Sequence, residues 1–101
     1  MSTSTYDAGP PEPPLLPWLS RLVRGVLRLP EDAAVRDRTL VSLGMESLQA
    51  LALQYQLLDQ LGADVSIEDL LGSRSVAELA ALVAGGLPPE AVAARAREVP
   101  A

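Results

Sequence analysis

Apolar residues recur at helical intervals through most of this chain, and turn-forming residues separate the runs. From about Pro17 to Leu29, Leu19, Leu22, Val23, Val26 and Leu27 cover one side, while Arg21, Arg24 and Arg28 follow one another at spacings of three and four on another. This predicts a first helix with a solvated basic face. Pro17 suits its start, where a missing N–H is harmless, and Pro30 ends it. A second helix is predicted from about Ser47 to Leu61, with Gly62 in the helix-ending role. It carries two apolar stripes: Leu53, Leu57 and Leu61 repeat every four residues, while Leu48, Leu51, Tyr55 and Leu58 alternate threes and fours. A small bundle cannot bury both completely. A short third helix reads from about Ile67 to Leu71, capped by Ser66 and closed by Gly72. A fourth reads from about Val76 to Ala84, opened by the capping box Ser75-Val76-Ala77-Glu78, with Val76, Leu79, Ala80 and Val83 as its core face.

Residues 30–46 read as a long connection, anchored by Leu40 and Leu43 and kept wet by Glu31, Asp32 and Asp37. Connections of this length in a small domain are uncommon and usually functional. Residues 1–15, rich in Ser, Thr, Gly and Pro, predict a flexible leader. Residues 87–101 restart at Pro88-Pro89 and predict a linker or tail, with an extra helical turn or two between Glu90 and Glu98. The expected fold of residues 16–86 is all-α: a four-helix bundle of three longer helices and one short third helix, with a long loop between helices 1 and 2.

Composition narrows the chemistry. The length of 101 residues suffices for one small domain. Only Tyr6, Trp18 and Tyr55 are aromatic, so the core must be aliphatic, with Trp18 packed at one end. Stability should be modest, about 3–5 kcal/mol. With no Cys and no His, disulfides, thiolate metal sites and the commonest general base are excluded. A net charge of -5 argues against nucleic acid as a partner. No apolar run is long enough to span a bilayer, and the N-terminus lacks a secretory pattern. A cytoplasmic, monomeric domain is expected.

The chemistry then concentrates in Leu43-Gly44-Met45-Glu46-Ser47-Leu48. A serine hydroxyl sits at the mouth of a helix, just after a glycine turn, with no base in the chain to activate it. That points to a substrate for modification, not to a catalyst; no catalytic residue and no metal ligand is expected. Taken without its surroundings, Ser47 would read as an ordinary N-cap and Glu46 as a charge complementing the helix dipole.

The hexapeptide resembles the Leu-Gly-x-Asp-Ser-Leu signature of acyl and peptidyl carrier proteins. The resemblance extends through Leu53, Leu57, Leu61-Gly62, Val65, Ile67 to Leu71, Ser75-Val76 and Leu79, covering about Trp18 to Ala84. It implies that Ser47 receives phosphopantetheine from coenzyme A through a separate phosphopantetheinyl transferase with magnesium. It also implies that acyl or aminoacyl groups ride as thioesters on the terminal thiol of that arm. Gly44 would let the backbone turn and expose the hydroxyl, and Glu46 would assist the transferase or its magnesium. A helix N-terminus, with free N–H groups and a positive dipole end, suits an attached phosphodiester.

Three departures refine this reading. Glu46 stands where the family has Asp, which moves the carboxylate out by one methylene and implies slower loading by some transferases, not its loss. Gly44-Met45 is closer to polyketide carriers than to peptidyl carriers. The second helix carries Asp59 as its one acid, so partners are expected to dock through an apolar patch of Met45, Leu48, Leu51 and Leu58 as much as through charge. The function implied is an acyl carrier domain of polyketide or hybrid polyketide–nonribosomal peptide biosynthesis. Its partners would be a phosphopantetheinyl transferase and the loading, condensing or modifying domains of a synthase. The alternatives are a peptidyl carrier and an unloaded, carrier-like interaction module.

Overall fold

In a computed structural model, which describes residues 12–98, the predicted periodicity becomes helix α1 over Leu16–Leu27, α2 over Ser47–Leu61, α3 over Ile67–Leu70, α4 over Val76–Gly85 and α5 over Pro89–Glu98. Helix α1 packs on α2, α4 and α5, and α3 packs on α2. The core is aliphatic except for Trp18: Leu15, Leu19, Val23, Leu40, Leu53, Leu57, Leu70, Val76 and Leu79 are buried at its centre. Each such side chain contributes about 1.5–3 kcal/mol by leaving water. There is no strand among the described residues; one isolated bridge pairs Thr39 with Ser75.

The helix ends follow local chemistry. Ser66 accepts the Asp69 N–H at 3.0 Å. Ser75 accepts the Glu78 N–H at 3.1 Å, while the Glu78 carboxylate accepts the Ser75 N–H at 2.8 Å. Helix α1 ends earlier than the sequence suggests. Pro30 is not what stops it: Arg28 takes a left-handed conformation (φ 58°, ψ 44°), and the Leu29 N–H returns to the Arg24 carbonyl at 2.8 Å.

The long connection is held at several points. Val35 and Leu40 are buried, Leu43 is half-buried, and Val41–Leu43 form one 3₁₀ turn. The Val76 and Ala77 N–H groups, which have no partner inside α4, donate to the carbonyls of Arg38 at 2.9 Å and Arg36 at 3.0 Å. Arg24, expected on a solvated face, is half-buried and donates from Nε to the Ala33 carbonyl at 2.9 Å, tying the connection to α1.

The chain ends differ from expectation in two places. Residues 1–11 of the leader lie outside the described residues, and Leu15, counted in the leader, is buried in the core. The stretch read as a linker or tail forms the ten-residue helix α5, which buries Val92. Its Arg95 donates to the Gln60 carbonyl at 2.6 Å. That carbonyl lies in the last turn of α2, where no helical N–H can reach it, so the guanidinium both satisfies it and complements the dipole. The bundle therefore has a fifth helix beyond the four expected.

Candidate functional site

The site is built by a reversal of the chain between the 3₁₀ turn and α2. The Leu43 and Gly44 N–H groups return to the carbonyls of Leu40 and Val41 at 3.1 and 2.9 Å, and the Met45 N–H returns to Leu40 at 3.0 Å. Gly44 has φ 98°, a region that side chains other than hydrogen strain to enter, and a Cβ placed there would meet nothing within 4 Å. Glycine is needed here for its backbone, not for space. The reversal sends Met45 inward and brings Glu46 up in extended conformation (φ -114°, ψ 178°) as the N-cap of α2.

Ser47 is the first helical residue, not the cap. The Gln49 side-chain carbonyl accepts the Glu46 N–H at 2.8 Å, and the Glu46 carbonyl takes the first helical bond, from the Ala50 N–H, at 2.9 Å. Capping at this end is thus carried by Glu46 and Gln49, which removes the ordinary N-cap reading of Ser47. Its side chain is exposed, and the backbone N–H groups of Ser47 and Leu48 have no intrahelical acceptor. An anionic group joined to the Ser47 oxygen would stand at the positive end of a fifteen-residue helix. With no His or Cys anywhere in the chain, the hydroxyl has no resident base of the usual kind. Among the described residues no cluster of carboxylates is placed to hold a metal ion.

The four residues expected to form an apolar patch divide. Leu48, Leu51 and Leu58 are 79%, 51% and 51% exposed, a row of large side chains facing water on α2. Met45 does not join them. It is 4% exposed and belongs to the core, because the bond from its N–H to Leu40 folds the backbone inward at that residue. Two further large apolar residues outside the expected set are exposed: Tyr55, 65% exposed on α2 itself, and Val41 in the 3₁₀ turn that precedes it. Tyr55 was legible as part of the second α2 stripe. Val41 carries no periodic signal; the only clue is that two adjacent apolar residues, Leu40 and Val41, cannot both point into the core from one turn. The inward stripe of α2 is Ala50, Leu53 and Leu57, with Leu61 half-buried.

Glu46, Ser47 and Leu48 thus stand together in the open at the start of α2, on a turn made by Gly44 and anchored by Met45. These residues fit a covalently attached phosphopantetheine: an exposed hydroxyl, two free N–H groups beside it, and a helix dipole behind it. No helix among the described residues is long and apolar enough to cross a membrane. No curated protein and no solved structure matches the chain. A family model described as phosphopantetheine attachment site does match, over residues 17–83, which spans α1 to α4 and the whole of the turn just described. The chain therefore belongs to the phosphopantetheine attachment site family, a carrier domain family whose members bear that prosthetic group covalently.

Proposed function

We propose that Ser47 is the attachment point and that the chain is an acyl carrier domain of polyketide or hybrid polyketide–peptide biosynthesis. The observation that carries the proposal is the position of Ser47 at the first residue of α2, exposed and relieved of capping by its neighbours. When bound, the group supplies a terminal thiol on which acyl cargo is held as a thioester. The chain's own residues do the rest. Gly44 sets the turn, Met45 pins it to the core, and the N–H groups of Ser47 and Leu48, which have no intrahelical acceptor, would be available to the phosphodiester. Glu46, exposed at the cap one residue before Ser47, would offer its carboxylate to the transferase and its magnesium.

Partner enzymes recognise the surface around Ser47 through Leu48, Leu51 and Leu58, extended by Val41 and Tyr55. The polyketide-type reading is supported by Gly44-Met45, and docking through apolar residues by an α2 with Asp59 as its single acid. Burying large apolar side chains at an interface is worth more, and is less salt-sensitive, than pairing exposed charges.

Incubation with coenzyme A, magnesium and a broad-specificity phosphopantetheinyl transferase should add the mass of one phosphopantetheine. Ser47→Ala should gain none, with its circular dichroism unchanged. For docking, Leu51→Glu and Leu58→Glu should still be pantetheinylated but acylated slowly by the cognate loading enzyme. Normal acylation of both variants would remove the docking assignment while leaving Ser47 in place.

A further inference from the structure

A second surface lies along α1, apart from Ser47. Helix α1 and the connection after it enclose an open groove of about 910 Å³. Its charged lining is Arg21, Arg24, Arg28 and Arg36 against Glu12 and Glu31, a net positive groove in a chain whose net charge is -5. Arg36 is engaged with Glu12 and Asp37, and Arg24 with the Ala33 carbonyl. Arg21 and Arg28 are exposed and make no ion pair among the described residues.

Arg28 carries a further mark. It occupies the left-handed position that ends α1, where glycine is the residue of least strain. A positive φ at a long side chain is uncommon, and such residues cluster where a side chain has work to do. Glycine there would end the helix as well and would leave this end of the groove without its charge.

We infer that this groove is a docking surface for an acidic helix of a partner protein, independent of the surface around Ser47. The spacing favours a helix. Arg21 stands on α1 and Arg28 just past its end, with the half-buried Arg24 between them, so the two exposed charges lie roughly 10 Å apart at about 1.5 Å per residue. Carboxylates at i, i+3 or i+4, and i+7 of a facing helix repeat at the same rise, and guanidinium groups pair with carboxylates in bidentate geometry. A single phosphate cannot span such a row. A long polyanion is repelled by the acidic remainder of the chain.

The test is an NMR titration of the ¹⁵N-labelled protein with a synthetic amphipathic peptide carrying Glu at i, i+4 and i+7. A peptide with Lys in place of Glu serves as control, and inorganic phosphate is titrated separately. The Glu peptide should shift amides of residues 21–36, less so as salt is raised, and the Lys peptide should not. Arg21→Gln combined with Arg28→Gly should weaken the Glu peptide about tenfold, the sum of two exposed pairs at about 0.7 kcal/mol each. Arg28→Gly alone should melt no lower than the parent, which separates lost binding from lost folding. The inference is overturned by absence of shifts along α1, by shifts confined to α2, by equal binding of the Lys peptide or of the double variant, or by phosphate reproducing the same shifts at the same concentration.

Discussion

Met45 and Leu48 flank the proposed attachment serine, and the structure assigns them opposite roles. Truncating each to alanine gives the sharpest stability test. Met45 is 4% exposed, so Met45→Ala removes nearly its whole buried side chain and leaves a cavity beneath the Gly44 turn. Buried Met→Ala changes cost about 2–5 kcal/mol. A domain of this size holds a reserve of only about 3–5 kcal/mol, so Met45→Ala should be close to unfolding at room temperature. Leu48 is 79% exposed, and Leu48→Ala should change stability by less than about 0.5 kcal/mol, with alanine's helix propensity offsetting the little burial lost. Urea unfolding followed by the fluorescence of Trp18 measures both, since it is the sole tryptophan and is buried in the core. The account of the turn is wrong if Met45→Ala costs under about 1 kcal/mol, or if Leu48→Ala costs more than that. The same pair bears on docking. Loss of partner activity in a Met45 variant would report a collapsed turn, whereas loss in a Leu48 variant that is fully folded would report a missing contact.

Other predictions follow from single interactions. Gly44→Ala should destabilise by about 1–2 kcal/mol through backbone strain alone, since its Cβ meets nothing within 4 Å; thermal melting reads this, and an unchanged melting temperature would mean the turn can rearrange. Arg95→Ala, which removes the bond to the Gln60 carbonyl, should cost about 0.5–1.5 kcal/mol, and removal of residues 88–101 should cost more because Val92 is lost as well. If the truncated chain unfolds at the same urea concentration, α5 is an appendage and not part of the fold. Arg28→Gly should raise stability by about 0.5–1 kcal/mol by relieving the left-handed conformation, measured by the same urea transition.

Much of the fold was legible because its signals are local. Helices α2, α3 and α4 begin and end within a residue of where their caps and apolar periods place them, since Ser66, Ser75, Glu78 and Gly62 act through bonds to near neighbours. The two stripes of α2 were visible as a conflict, but not which one the core would take. That choice depends on α1 and α3, which cover Leu53 and Leu57 and leave Leu48 and Leu58 in water. What stayed hidden depends on contacts distant in sequence. The burial of Met45 is set by its bond to Leu40, the inward turn of Arg24 by the Ala33 carbonyl, and the docking of α5 by Gln60 on another helix. The serine itself was legible from its motif. That it is not the cap follows from the extended backbone at Glu46 and the bond its N–H donates to the Gln49 side chain; the only trace in residue type is Gln49 itself, three residues after Glu46.

The most direct test of the central claim is to locate the modification in the chain. After treatment with coenzyme A, magnesium and a phosphopantetheinyl transferase, trypsin cutting at Arg38 and Arg74 releases residues 39–74, which hold Ser42, Ser47, Ser66 and Ser73. Fragment-ion mass spectrometry should place the whole added mass on Ser47, and Ser47→Ala should yield an unmodified peptide. Modification at Ser42, Ser66 or Ser73, or a fully folded protein that gains no mass, would contradict the account.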